Sequence, residues 1–283
     1  MYPNYRNGLV LVLMIAGSLL TIEHATGTAL DDYIALDDPN YSYRLLSTTP
    51  GQGYTTFAIE LTSQAWLTGD EIDRTVWKHW LTIVKPDEVT SQTALLYIGA
   101  GINGGQPPQA PDSPVLQLAK ATGSVTAELA MVPNQPLTFA GDGKPRVEDE
   151  LVAYSWKRFL DTGEPRCLAQ FPMTKSAVRA MDCVQAFMKS PRGGKVTVDK
   201  FVVAGASKRG WTTWLTAATD KRVAAFVPSV IDVLDVKRTM LHSHKAYGFW
   251  APAVHDYVEA GIPDRMNELR FGTLMRLVDP YAY

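Results

Sequence analysis

The sequence predicts an α/β domain built on a mostly parallel sheet with helices on both faces. Three observations carry this. Strand-length apolar runs alternate with helical patterns through the middle of the chain. Residues 94–98 are continuously apolar, as in a strand buried on both faces. The apolar run at 201–204 stops at Gly205-Ala206-Ser207 and passes at once into a helical pattern, with Trp211, Trp214, Leu215 and Ala218 spaced three and four apart.

Taken in order, the chain opens on Arg6, an apolar run at 9–20, and small residues at Ala25, Gly27 and Ala29. That is the layout of a secretory signal, too short to span a bilayer comfortably. It predicts a leader over 1–29, cut near Gly27 or Ala29, and one domain over 30–283. The product is expected to be secreted or periplasmic, with no stable membrane span after cleavage. Residues 30–39 are acidic and read as a loop. Residues 54–67 alternate (Phe57, Ile59, Leu61) as a half-exposed strand. Residues 76–84 form a second, with Trp77, His79, Leu81 and Ile83 on one face, and the two are expected to pair antiparallel.

The buried strand at 94–98 runs into Gly99-Ala100-Gly101-Ile102-Asn103-Gly104-Gly105, four glycines in seven residues. Such a loop lets backbone N–H groups approach a ligand closely. Helix is expected from Ser113 to 121, strand at 124–132, a long loop at 133–145, and helices at 147–160 and 173–189. The strand at 196–203 feeds Ser207, and helix at 208–219 follows. A last buried strand at 223–231 precedes helices at 236–248, 253–260 and 267–278.

A strand that ends in Gly-x-Ser and turns directly into a helix exposes a nucleophilic serine at the sheet's carboxyl edge, and the order of elements fits the α/β-hydrolase plan. Gly205, Ala206 and Gly210 supply small residues for the turn, although the usual pattern has glycine where Arg209 stands. The oxyanion hole is assigned to the N–H of Lys208 and to a second donor near Ile102 or Asn103. Lys208 and Arg209 at a helix N-terminus run against the helix dipole. They are therefore read as holding an anionic substrate such as a uronate ester, the alternative being a solvated first turn.

The decapeptide from Gly205 to Trp214, with Leu30-Asp31-Asp32-Tyr33 and Val230-Ile231-Asp232, resembles the PhoPQ-activated pathogenicity-related proteins from about residue 30 onward. More distantly, the serine turn resembles that of the glucuronoyl methylesterases. The resemblance implies an exported α/β-hydrolase-like protein. It places the acid at Asp232, whose alternative role is to cap the next helix. Family members are longer, so it also implies that this chain ends before the strand, acid loop and histidine loop that complete the domain. The expected product is a serine hydrolase-like protein acting on a small-molecule or carbohydrate ester, with its base missing. The alternative is a non-catalytic secreted binding or signalling protein linked to virulence or envelope stress. A sheet ended after 231 is expected to leave an apolar edge.

Composition narrows the rest. The 283 residues are 46% hydrophobic and 20% charged with net charge −2, which points away from nucleic acid. Seven tryptophans and twelve tyrosines are read as packing before sugar platforms. Cys167 and Cys183 are read equally as a disulfide or as buried thiols. His242 and His244 are two apart on a helix and do not face each other, so no metal is expected. They and His255 are read as cap or surface residues, and His79 as structural. Neither G-x-G-x-x-G nor a P-loop is present, and no cofactor is expected.

Overall fold

The computed structural model describes residues 27–108 and 114–283. Residues 1–26 of the leader expected over 1–29, with His24, and the helix start expected at Ser113 lie outside the described residues. Helix α1 (Ala29–Ala35) stands where a loop was expected. Thr28 Oγ1 accepts from Asp31 N–H, while the Asp31 carboxylate accepts from Thr28 N–H at 2.8 Å. This capping box, with two acidic residues in the first turn, explains the correction: the acidic run is a helix start.

Strand β1 (Ser42–Gly51) then pairs antiparallel with β2 (Tyr54–Ala65), which pairs antiparallel with β3 (Val76–Pro86). Strand β1 went unread because it lies exposed at the sheet edge and shows no apolar alternation. Strand β2 is mostly buried rather than half-exposed, since its polar residues Ser63 and Gln64 also point into the protein.

Strand β4 (Thr93–Ile98), helix α2 (Pro114–Thr122) and strand β5 (Thr126–Leu129) follow. Two short strands, β6 (Leu137–Thr138) and β7 (Pro145–Arg146), pair within the expected loop. Helix α3 (Glu148–Thr162) ends on Gly163, whose φ of 82° only glycine takes freely. Helix α4 (Gln170–Lys189), strand β8 (Lys200–Ala206), helix α5 (Lys208–Thr219) and strand β9 (Val223–Ser229) complete the alternating part. Helices α6 (Val236–Tyr247), α7 (His255–Glu259) and α8 (Leu269–Val278) form the last part.

The main sheet has the order β1-β2-β3-β5-β4-β8-β9. From β5 to β9 all neighbours are parallel, and the pairs from β1 to β5 through β3 are antiparallel. Helices lie on both faces, as expected. Helices α4 and α5 cover one, over a core that includes Phe171, Phe201 and Leu215, and α3 packs Trp156 against Trp211 of α5. Helix α2 packs Leu116 and Ala119 against Val84 on the other. Beside α2 lies an apolar cavity of about 720 Å³. Strand β9 forms one edge of the sheet, with Phe226 and Val227 exposed.

Topology also fixes where a ligand belongs. The connection from β4 leads to one side, onto β5, whereas β8 lies on β4's other side. In such sheets the crevice forms at the carboxyl ends of the two strands flanking that reversal. Ile98 pairs with Gly205, so the glycine loop and Ser207 leave the sheet side by side at this point.

Candidate active site

Ser207 sits between β8 and α5 with φ 55° and ψ −129°, a conformation costly for a residue with a Cβ. Its N–H donates to the Ser229 carbonyl at 2.9 Å, and its carbonyl accepts from Trp211 N–H at 3.0 Å, opening the helix. The turn is possible because its neighbours are glycines. A Cβ on Gly205 would lie 2.6 Å from the Arg209 carbonyl oxygen, and one on Gly210 would lie 2.7 Å from Ile231 Cγ2. The glycine after the serine is thus needed at 210, and position 209 is free to carry a long side chain.

Ser207 is half-buried, and its Oγ has no hydrogen-bond partner among the described residues. The N–H groups of the first turn of α5, Lys208 foremost, point out of the helix end as donors. In the glycine loop, Asn103 N–H is already spent, donating to the Gln135 carbonyl at 2.5 Å. Of the two loop donors expected, Ile102 N–H is the one left without an acceptor among the described residues.

The basic pair differs from expectation. Lys208 and Arg209 are both buried, and neither side chain is held ready for an anion. Arg209 Nη1 donates to Glu148 Oε2 at 2.8 Å, its Nη2 to Glu148 Oε1, and its Nε to the Val132 carbonyl at 2.6 Å. Lys208 Nζ lies 2.6 Å from Glu148 Oε2 and 2.9 Å from Asp149 Oδ2. Two cations at the positive end of a helix need carboxylates beside them, and the acidic start of α3 supplies these. With these partners in place, neither Lys208 nor Arg209 presents a free cation to a substrate carboxylate in this structure.

Glu148 also meets Gln135, whose Nε2 donates to Glu148 Oε1 and whose Oε1 accepts from Glu148 N–H at 2.6 Å. Burial raises the Glu148 pKa, but hydrogen bonds from Arg209, Lys208 and Gln135 outweigh it and hold the carboxyl at about 2. Sequence reasoning read Glu148 and Gln135 only as helix start and loop. The signal was the unfavourable Lys208-Arg209 pair, which called for an acidic partner elsewhere.

Asp232 lies exposed in the loop after β9, without a hydrogen bond among the described residues. Its alternative role as a helix cap belongs to Asp235, which accepts from Arg238 N–H at 3.3 Å. Asp232 shares a cavity of about 520 Å³ with Arg238, His242 and Tyr281. His244 stacks on Trp250, and His255 pairs with Glu259 at 3.1 Å.

His79 forms a second serine–histidine contact. Its Nδ1 faces the Ala130 carbonyl, which can only accept, so Nε2 carries the lone pair. Nε2 lies 2.9 Å from Ser63 Oγ and 3.1 Å from Ser176 Oγ. The geometry is that of a nucleophile and base, but Ser63 and His79 are 0% exposed and reach no substrate.

Among the described residues no group of three or more His, Cys, Asp or Glu is placed to hold a metal ion, and no helix is long and apolar enough to cross a membrane.

A family model for the PhoPQ-activated pathogenicity-related proteins matches residues 30–283. The chain is 40% identical over 277 residues to the autocrine proliferation repressor protein A of Dictyostelium discoideum, covering 97% of this chain and 54% of that protein. It therefore spans about half the length of that relative. Acetyl xylan esterase 1 from Thermoanaerobacterium sp. JW/SL YS485 is similar in structure with a TM-score of 0.54 and 16% identity, over 89% of this chain and 73% of that one. An acetyl xylan esterase from Paenibacillus sp. R4 gives 0.53 and 12%, over 89% and 71%. At such identities the likeness concerns the fold, an α/β-hydrolase sheet.

Proposed function

The chain belongs to the PhoPQ-activated pathogenicity-related protein family, and from that premise we propose an exported serine hydrolase-like protein that cleaves small-molecule or carbohydrate esters through Ser207. The observation that carries this reading is the backbone of Ser207, turned to φ 55° at a strand-to-helix elbow beside a glycine loop. In this reading Ser207 Oγ attacks the ester carbonyl carbon while its proton passes to a histidine. The bond to the alcohol oxygen then breaks, and the alcohol leaves with that proton. Water next attacks the acyl-serine, returning the proton to Oγ and releasing the acid. Lys208 N–H and Ile102 N–H meet the oxyanion, and Asp232 orients the histidine.

None of His79, His242, His244 and His255 hydrogen-bonds to Ser207 in this structure. Because Lys208 and Arg209 already face carboxylates, the site suits an uncharged acyl ester better than a carboxylate-bearing one. In this proposal the leader is the part of the 1–29 stretch up to Gly27, delivering the protein to the periplasm or beyond. Thr28 caps α1, so the cut that keeps this cap falls at Gly27 rather than after Ala29.

The test is a fluorophosphonate probe applied to the family-length protein. An adduct on Ser207, lost in Ser207→Ala, supports the reading. No adduct, under conditions that label a control esterase, sinks it.

A second reading is a non-catalytic signalling protein on the same scaffold, linked to virulence or envelope stress. It is favoured by the unpartnered Ser207 Oγ and by the name of the Dictyostelium relative, a proliferation repressor. Under this reading Ser207→Ala keeps the biological effect, whereas under the first it loses it.

A further inference from the structure

We propose that Glu148 is a positioning residue that locks the nucleophile elbow and the oxyanion loop into one unit; the inference rests on the hydrolase reading of Ser207. One carboxylate touches both halves of the site. On the elbow side it takes both Nη atoms of Arg209 and the Lys208 ammonium, the residues directly after Ser207. On the loop side it takes Gln135 Nε2, which also donates to the Gly101 carbonyl at 3.2 Å. The Gln135 carbonyl accepts from Asn103 N–H in turn. Gly101 and Asn103 bracket Ile102, and Lys208 carries the other N–H of the hole. Glu148 thus reaches the neighbours of both oxyanion donors through at most one side chain.

A third connection runs parallel to these. Arg209 Nε donates to the Val132 carbonyl, and Val132 N–H donates to the Gly99 carbonyl at 3.2 Å, at the root of the glycine loop. The guanidinium that Glu148 orients is itself a strut to that loop.

Glu148 shows two further marks of a built part. Its φ is 52°, unusual for a residue with a side chain, at the first position of α3. Such strain persists only where surrounding contacts over-determine it. Its carboxylate also brings the local balance with Lys208, Arg209 and Asp149 to two charges of each sign. A free cation beside Ser207 would attract anions and lower the basicity of a nearby histidine. Glu148 therefore sets both the geometry of the hole and the field in which the base works. The oxyanion donors must lie within hydrogen-bond reach of where the charge develops, and a displacement of about 1 Å is enough to cost roughly a hundredfold in rate.

The experiment uses the family-length protein, with p-nitrophenyl acetate and a fluorophosphonate as probes. Labelling of Ser207 in the unsubstituted protein comes first; its failure removes the hydrolase reading and says so independently of Glu148. Given labelling, Glu148→Gln is expected to lower kcat for p-nitrophenyl acetate by roughly tenfold to a hundredfold, with KM within about twofold. Its acid limb moves to lower pH, because two cations lose their counter-charge. Glu148→Asp recovers the pH profile and part of kcat. Gln135→Met leaves the elbow ion pairs in place and cuts the relay to the loop. It is expected to lower kcat without moving the acid limb, and it serves should Glu148→Gln fail to fold. Unchanged kcat and pH profile in a folded Glu148→Gln protein overturn the proposal, as does an unchanged kcat in Gln135→Met.

Discussion

The N–H of Ser207 donates to the carbonyl of Ser229 at 2.9 Å, binding the elbow to the end of the neighbouring strand. Ala206 pairs with Ser229 in the same ladder, so the parallel register of β8 and β9 continues one residue into the turn. The left-handed backbone of Ser207 is held from the sheet side by this bond and from the helix side by Trp211 N–H, which leaves only Oγ uncommitted. Closeness of the two strand ends then decides which residues the turn tolerates.

The two glycines of the turn are expected to differ in cost. A Cβ at Gly205 meets backbone, the carbonyl of Arg209, at 2.6 Å, whereas at Gly210 the nearest atom is a side-chain methyl of Ile231 at 2.7 Å and backbone stands off at 3.1 Å. A methyl can swing away; a helix's first turn cannot. Gly205→Ala should therefore lose about 3 kcal/mol and Gly210→Ala about 1 kcal/mol, the two ends of the usual overpacking range. Urea denaturation of both variants checks the ranking, and equal losses contradict it.

Ser207 itself is expected to be a stability liability. Its φ of 55° with ψ of −129° suits glycine, so Ser207→Gly should raise stability by about 1 kcal/mol while abolishing fluorophosphonate labelling. For a domain of this size that is a melting-point gain of about 2–4 °C. Ser207→Ala keeps the strain and should melt like the unsubstituted protein. A Ser207→Gly variant that melts lower would mean that the hydroxyl, not the backbone, holds the turn.

Much of the fold was legible because it is written in local periodicity. The helix at 208–219 was read to the residue, since Gly-Ala-Ser marks its start and the Trp211, Trp214 and Leu215 spacing marks its face. Strand β8 was shifted, because Val196 and Val198 extend the apolar run before the sheet begins at Lys200. Helix α1 was missed because its signal is a polar capping box rather than an apolar stripe. In the site, the elbow and the glycine loop were visible as short contiguous motifs. Glu148 was not, because its partners stand 13 residues upstream at Gln135 and 61 residues downstream at Arg209, and no local pattern records such pairings.

The cysteines, open between pairing and burial in the sequence, are free and buried in the structure. Burial pushes the Cys167 thiol up to about 12 and raises that of Cys183 further. Neither is then a thiolate at neutral pH, and neither should react with an aromatic disulfide reagent in the native protein. Both should react in urea, and a reductant should leave the melting temperature unchanged. A melting temperature that falls with dithiothreitol would restore the disulfide.

His79 should make the protein acid-sensitive in a window set by its own titration. Burial lowers its pKa from the ordinary 6.5 to about 4, against the opposing pull of the Ala130 and Met131 backbone. The groups in hydrogen-bond contact with its ring are hydroxyls of Ser63 and Ser176 and the Ala130 carbonyl, none of which balances an imidazolium charge. Above pH 6.5 the ring is neutral in both folded and unfolded chains and contributes no pH dependence. Between pH 6.5 and 4 the unfolded chain binds a proton that the folded one refuses. Stability therefore falls with decreasing pH by about 3 kcal/mol in all. Depressed carboxylates such as Glu148, at about 2, add their own loss mainly below their unfolded value near 4.5. The stretch from pH 6.5 to 5 lies above those losses, while burial raises Glu128 and Asp256 and gives them a dependence of opposite sign, so it is the difference between the unsubstituted protein and His79→Gln that isolates the histidine. Urea unfolding of both at several pH values across that stretch should show slopes whose difference approaches one proton, even if His79→Gln lowers stability throughout. Equal slopes between pH 6.5 and 5 would show that the ring takes up its proton in the folded state.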